Sequence, residues 1–323
     1  MTRKILIAAS CFILSFAMNI LSAKETPISP DGTYLYAERD TCDLYIDVYN
    51  PAKGSKTAID GKDKPTIVFM FGGGFIGGQR DDASYNKWFK MLTQNGYRVV
   101  SIDYRLGLKG ANKVGIAQVN VLDKAIHMAV EDLFSATAFM IDNAETLGID
   151  PDNIVISGSS AGAISVMQAE YEICNRTKWA EALPKDFNYA GVISFAGAVF
   201  SMDGAPEWGE NTAPIMLFHG NADRQVPYNK VALFGCGMYG SKYLAGKLQN
   251  AGLPYWFYTV EYETHQMAGK PMYDNHAEIV LFIEEFAIKQ RKLQRTTHIV
   301  DEAIPECQTR FFPTAYIGAT YNR

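Results

Sequence analysis

From Thr33 to Glu38 and again from Asp43 to Tyr49, apolar and polar side chains alternate, the pattern of half-buried antiparallel strands. A loop marked by Asn50-Pro51 and Gly54-Ser55 follows. Thr66 to Phe71 is then a continuous apolar run, as expected of a strand buried on both faces of a mainly parallel sheet, and it ends in Gly72-Gly73-Gly74-Phe75. Ala83 to Asn95 places Trp88, Phe89 and Leu92 on one helical face, with Gly96 as the stop. Further apolar runs at 97–102, 154–156, 189–195, 214–219 and 254–262 predict strands. Helical periods at 121–144, 243–250 and 275–289 fall between or after them. Such alternation predicts an α/β fold: a mostly parallel twisted sheet with helices on both faces and an antiparallel N-terminal hairpin.

One of these runs carries a sharper signal. Ile154-Val155-Ile156-Ser157 leads into Gly158-Ser159-Ser160-Ala161-Gly162, and a helical segment begins at once. A strand, Gly-x-Ser-x-Gly and a helix form the pattern of a nucleophile elbow, in which the central serine occupies a strained turn and flanking glycines admit close backbone. Ser160, not Ser157 or Ser159, stands at the centre. A serine hydroxyl needs a base to take its proton and a third group to orient that base. Asp223 follows the run at 214–219, and His265 follows the run at 254–262. Both are expected on loops at the carboxyl ends of strands, where open α/β sheets put their working residues. Asp203 and Glu207 follow no comparable strand. His276 is the rival base, although its place at a helix start suits capping; His219, at the end of a buried run, reads as a structural histidine.

These segments together, with Asp103-Tyr104-Arg105-Leu106 and His219-Gly220-Asn221-Ala222-Asp223-Arg224-Gln225-Val226-Pro227, resemble α/β-hydrolase carboxylesterases, most closely secreted esterases of the feruloyl and acetyl-xylan kind. The resemblance runs from about Tyr34 to Lys289. It implies Ser160 as nucleophile, His265 as proton shuttle, Asp223 as the orienting acid, and an oxyanion hole from the amides of Gly73, Gly74 and Ala161. It also implies that no metal or organic cofactor is required. Two positions depart from the pattern: Phe71 stands where the family usually has histidine before the glycines, and Thr264 where it usually has glycine before the catalytic histidine. The implied activity is hydrolysis of carboxylic esters, acetyl or feruloyl esters on carbohydrate. A serine peptidase or acyltransferase with the same triad, and a non-catalytic binding protein on the same scaffold, are the alternatives. The segment from Ala198 to Trp208, with Phe200 and Met202, is either an acyl-pocket wall or core packing.

Composition narrows the partners. The 323-residue chain carries a formal net charge of −5 and no basic cluster, which argues against nucleic acid and anionic membranes. Thr2-Arg3-Lys4, the apolar stretch from Ile5 to Leu21 and the small pair Ser22-Ala23 read as an export signal over residues 1–23. A lipoprotein site at Cys11 fits less well because the apolar stretch continues past it. The expected product, residues 24–323, is one domain with a tail from residue 290 packed on it, in the periplasm or outside the cell. Cys42, Cys174, Cys236 and Cys307 lack metal-site spacing. A Cys236 to Cys307 bridge holding the tail and buried free thiols are the two readings of them.

Overall fold

Nine strands form the central sheet of the computed structural model, which describes residues 27–110, 119–233, 235–313 and 315–316. The expected export segment lies outside the described residues. Strands β1 (Gly32–Arg39) and β2 (Cys42–Tyr49) form the predicted antiparallel hairpin, with a register shift between Leu35 and Ala37. The next strands are β3 (Thr66–Met70), β4 (Arg98–Ile102), β5 (Ile154–Ser159) and β6 (Gly191–Phe195). After β7 (Ala198–Ser201) come β8 (Ile215–Gly220), β9 (Lys230–Leu233), β10 (Cys236–Gly240), β11 (Tyr255–Val260) and β12 (Gln294–Ile299). Across the sheet the order is β1-β2-β4-β3-β5-β6-β8-β11-β12, parallel from β4 onward. Every residue of β3, β5, β6 and β8 is buried, which is why those segments are apolar without alternation.

Five helices are needed to place the site: α1 (Asn86–Gln94), α2 (Val119–Asp142), α3 (Ala161–Cys174), α4 (Ser241–Asn250) and α5 (His276–Phe282). Among the described residues none is long and apolar enough to cross a membrane. All of α3 but Tyr171 is buried, so it has no polar face; its polar residues must find partners inside. Glu172 does so by accepting from Gln168 Nε2 at 2.7 Å and meeting His127 Nε2 of α2 at 3.3 Å. Burial alone would lower the His127 imidazole, yet Asp123 and Glu172 push it up to about 9.

Glu170 is less well served. Its Oε1 accepts from the Ala213 amide at 2.7 Å and Asn188 Nδ2 at 3.4 Å, whereas Oε2 has no partner. Burial pushes this carboxyl up to about 8. The folded protein therefore holds a proton that the unfolded chain releases near pH 4.3, and stability falls as pH rises from about 4.3 towards about 8. Glu170→Gln, a neutral isostere, is expected to raise the melting temperature at pH 8 and to leave it nearly unchanged at pH 4. Equal melting curves at pH 8 would show that the carboxyl ionises in place without cost.

Three features differ from the expected pattern. Residues 294–299, read as tail, add a ninth strand parallel to β11. This edge strand is mostly solvent-facing and polar, so no hydrophobic period marks it. The segment from Ala198 pairs as β7 with β10, and β10 with β9, in a separate three-stranded antiparallel sheet. The Cys236 to Cys307 bridge is not formed. All four cysteines from Cys42 on are free; Cys236 Sγ lies 3.4 Å from Met202 Sδ, and Cys307 Sγ faces the Tyr262 carbonyl. Cys174 is a buried thiol, pushed up to about 11 by burial.

Candidate active site

Ser160 joins the end of β5 to the first turn of α3 with φ 50° and ψ −112°, a region costly for a residue with a side chain. Its amide donates to the Phe195 carbonyl at the end of β6, and its carbonyl accepts from Ile164. The elbow is closely packed. A Cβ on Gly158 would lie 2.3 Å from the Gly162 carbonyl oxygen, and one on Gly162 would lie 2.2 Å from that of Met70. The neighbouring serines are engaged elsewhere: Ser157 Oγ donates to the Val68 carbonyl and Ser159 Oγ to that of Ala268.

Because β5, β6, β8 and β11 are successive neighbours, the loops at their carboxyl ends meet. Asp223 lies just beyond β8 and His265 just beyond β11. The two loops are pressed together, with the Ala222 amide donating to the Glu263 carbonyl at 3.0 Å and the Tyr262 amide to Asn221 Oδ1 at 2.6 Å. The result is a continuous polar chain. His265 Nε2 is 2.8 Å from Ser160 Oγ, and His265 Nδ1 is 2.7 Å from Asp223 Oδ2. Asp223 Oδ1 accepts from the Gln225 and Val226 amides at 2.7 and 3.0 Å. Burial alone would raise this carboxyl, but His219 and His265 hold it well below the usual carboxylate range. With Asp223 ionised, Nδ1 of His265 carries the proton and Nε2 is left as the acceptor facing the serine hydroxyl.

The structure brings Ser160, Asp223 and His265 together and leaves His276 out. His276 Nε2 pairs with the Met272 carbonyl at the start of α5. His219 is fully buried, as expected, but its surroundings are not generic. Its Nε2 lies 3.2 Å from Asp223 Oδ2, a contact that no motif announces.

The glycine turn after β3 abuts the elbow: a Cβ on Gly72 would come within 3.0 Å of Ser159 Oγ and 3.3 Å of Ser160 Cβ. Gly73 and Gly74 have φ of 134° and 64°, and the Gly73 carbonyl accepts from Ile76 and Gly77 to close the turn. Gly72 donates its amide to the Tyr85 hydroxyl. The amides of Gly73, Gly74 and Ala161 have no protein acceptor among the described residues. Both departures from the family pattern are absorbed locally. Phe71 stacks on Tyr104 at 4.4 Å while its carbonyl accepts from the Tyr104 hydroxyl, which fixes the start of the turn. Thr264 is extended at φ −95°, where a Cβ is tolerated; the left-handed residue of this loop is Tyr262, at φ 59°.

Arg105 forms ion pairs with Asp132 and Glu131, joining the segment after β4 to α2. In the segment from Ala198 to Trp208, read as either an acyl-pocket wall or core packing, Phe200 is buried with its amide bonded to Gln168 Oε1, and Trp208 packs edge-on against Tyr171. Met202 is exposed.

The sheet order, the elbow and the order of serine, acid and histidine along the chain are those of the α/β-hydrolase fold. Comparisons with known proteins point the same way. A family model described as BD-FAE matches residues 46–199. Bile salt-activated lipase of Rattus norvegicus is 31% identical over 147 residues, 44% of this chain and 22% of its own. Gut esterase 1 of Caenorhabditis elegans is 29% identical over 140 residues, 43% of this chain and 23% of its own. The chain thus spans only about a fifth of the length of these curated relatives. The apo form of Thermogutta terrifontis esterase 2 superposes with a TM-score of 0.55 at 21% identity, covering 80% of this chain and 95% of that one; this likeness is one of fold.

Proposed function

We propose that the protein is an exported serine carboxylesterase acting through a covalent acyl-enzyme. The observation that carries this reading is the unbroken chain from Ser160 Oγ to His265 at 2.8 Å and on to Asp223 at 2.7 Å. In the proposed reaction, Ser160 Oγ attacks the ester carbonyl as His265 Nε2 takes its proton. Asp223 stabilises the resulting imidazolium. The amides of Gly73, Gly74 and Ala161 meet the oxyanion, each donor supplying about 3–4 kcal/mol of transition-state stabilisation. His265 then returns the proton to the departing alcohol oxygen, and a water activated by the same nitrogen releases the acid.

The finer reading is that the substrates are acetyl or feruloyl-type esters on carbohydrate, met in a periplasm or outside the cell. It is supported by the resemblance to secreted esterases of that kind and by the signal-like residues 1–23. A fluorophosphonate probe is expected to form one adduct, on Ser160, in the folded protein and none after heat denaturation, as read by peptide mass spectrometry. No adduct on the folded protein would refute the activated serine. Acetylated xylan, feruloylated oligosaccharides and simple aryl esters would then be compared. Equal, feeble rates on all three would refute the carbohydrate assignment.

A further inference from the structure

Asp223 lies between two histidines, and the second has no part in the scheme above. His219 is the penultimate residue of β8 and has no solvent exposure. Its Nε2 faces two acceptors, Asp223 Oδ2 at 3.2 Å and the Val226 carbonyl at 3.3 Å, so Nε2 carries a proton. Its Nδ1 is 2.8 Å from Ser241 Oγ at the start of α4, and Ser241 Oγ is also 3.3 Å from the Gly197 carbonyl. Gly197 is two residues beyond Phe195, whose carbonyl holds the Ser160 amide.

We propose that His219 is a positioning residue of the triad: its Nε2–H faces the same Asp223 oxygen that orients His265, and Ser241, donating its hydroxyl to Nδ1, holds His219 in the tautomer this requires. The inference rests on the triad reading above. Asp223 thereby has four N–H groups around it: His265 Nδ1 and His219 Nε2 at 2.7 and 3.2 Å from Oδ2, and two backbone amides donating to Oδ1. The shared oxygen sets the strength of the bond to His265. Loss of the His219 donor leaves more negative charge on Oδ2, shortens its bond to His265 and favours the imidazolium.

Among the described residues, buried Glu263 stands two residues before His265, its Oε1 accepting from the Thr264 amide at 2.9 Å. The Tyr228 ring meets His219 edge to face at 5.7 Å, with Lys242 Nζ 5.6 Å from the centre of the same ring. The charge of Asp223 reaches Tyr316 of the tail, and Arg224 is turned onto Phe311 at 4.8 Å.

The test compares His219→Gln, which keeps a donor, with His219→Phe, which removes it, in the full chain. Histidine-labelled nuclear magnetic resonance spectra are expected to show His219 as the Nε2–H tautomer in the unaltered protein. The His265 Nδ1 proton should move downfield in H219F and return towards its original position in H219Q. In parallel, the acid limb of kcat/KM on an aryl acetate should move up by about one pH unit in H219F only. An unmoved His265 proton in folded H219F, or equal shifts in both variants, overturns the proposal. Should H219F fail to fold, Ser241→Ala probes the chain from its other end; a His219 tautomer and a His265 proton both unchanged there overturn it equally. A moved proton in a protein that hydrolyses no ester and takes no probe would uphold the coupling and refute the esterase reading, so the two failures are distinct.

Discussion

Exchanging His265 for alanine will lower kcat/KM on an aryl ester by about 10⁴- to 10⁶-fold, and Ser160→Ala will lower it by a similar factor. The size follows from the geometry. In the proposed reaction His265 Nε2, 2.8 Å from Ser160 Oγ, is the base, and without it the hydroxyl must ionise into water. The two losses will not add. Once one member is missing, the other has no partner in proton transfer, so the double variant should match either single one within about tenfold. His276→Ala should stay within about threefold of the parent, because His276, the first residue of α5, is bonded to the Met272 carbonyl. Steady-state rates on p-nitrophenyl acetate check all four proteins. Activity surviving in H265A but lost in H276A would reverse the assignment of the base.

The contrast between these histidines illustrates what the sequence could convey. Both follow segments of recognisable type, and the choice between them came from strand-end logic: the buried run at 254–262 delivers its loop to the carboxyl edge of the sheet, whereas Asn275-His276 opens a helix. Ser160 was legible for the same reason, since a fully apolar strand followed by Gly-x-Ser-x-Gly and a helix leaves little freedom. What escaped were features lacking a period. Strand β12 has polar, exposed side chains and is recruited by main-chain pairing along β11, which any sequence free of proline can supply. Strands β7, β9 and β10 are four or five residues long and pair in a separate three-stranded sheet, too short for alternation to register. The disulfide failed on placement: Cys236 faces Met202 and Cys307 faces the Tyr262 carbonyl, and sequence carries no distances. The His219 contact escaped because a buried histidine advertises burial and says nothing of its partner.

Gly162→Ala will destabilise the protein by about 3 kcal/mol or more and will cut the rate of fluorophosphonate labelling by at least about 100-fold in whatever fraction folds. The added methyl would lie 2.2 Å from the Met70 carbonyl oxygen and 2.6 Å from that of Phe71, and both are backbone atoms without a rotamer to yield. Relief requires β3 and the elbow to move apart. That movement separates the glycine turn, which follows β3, from Ser160, which precedes α3, so the proposed oxyanion donors and nucleophile lose register together. Gly246 is the control. It lies within α4 with nothing near the position of an added Cβ, and alanine there should gain roughly 0.5–1 kcal/mol from helix propensity with labelling unchanged. Chemical denaturation and probe kinetics on the two variants separate the explanations. If G162A unfolds at the parent's midpoint and labels at the parent's rate, the close approach of elbow and glycine turn is not what holds the site together.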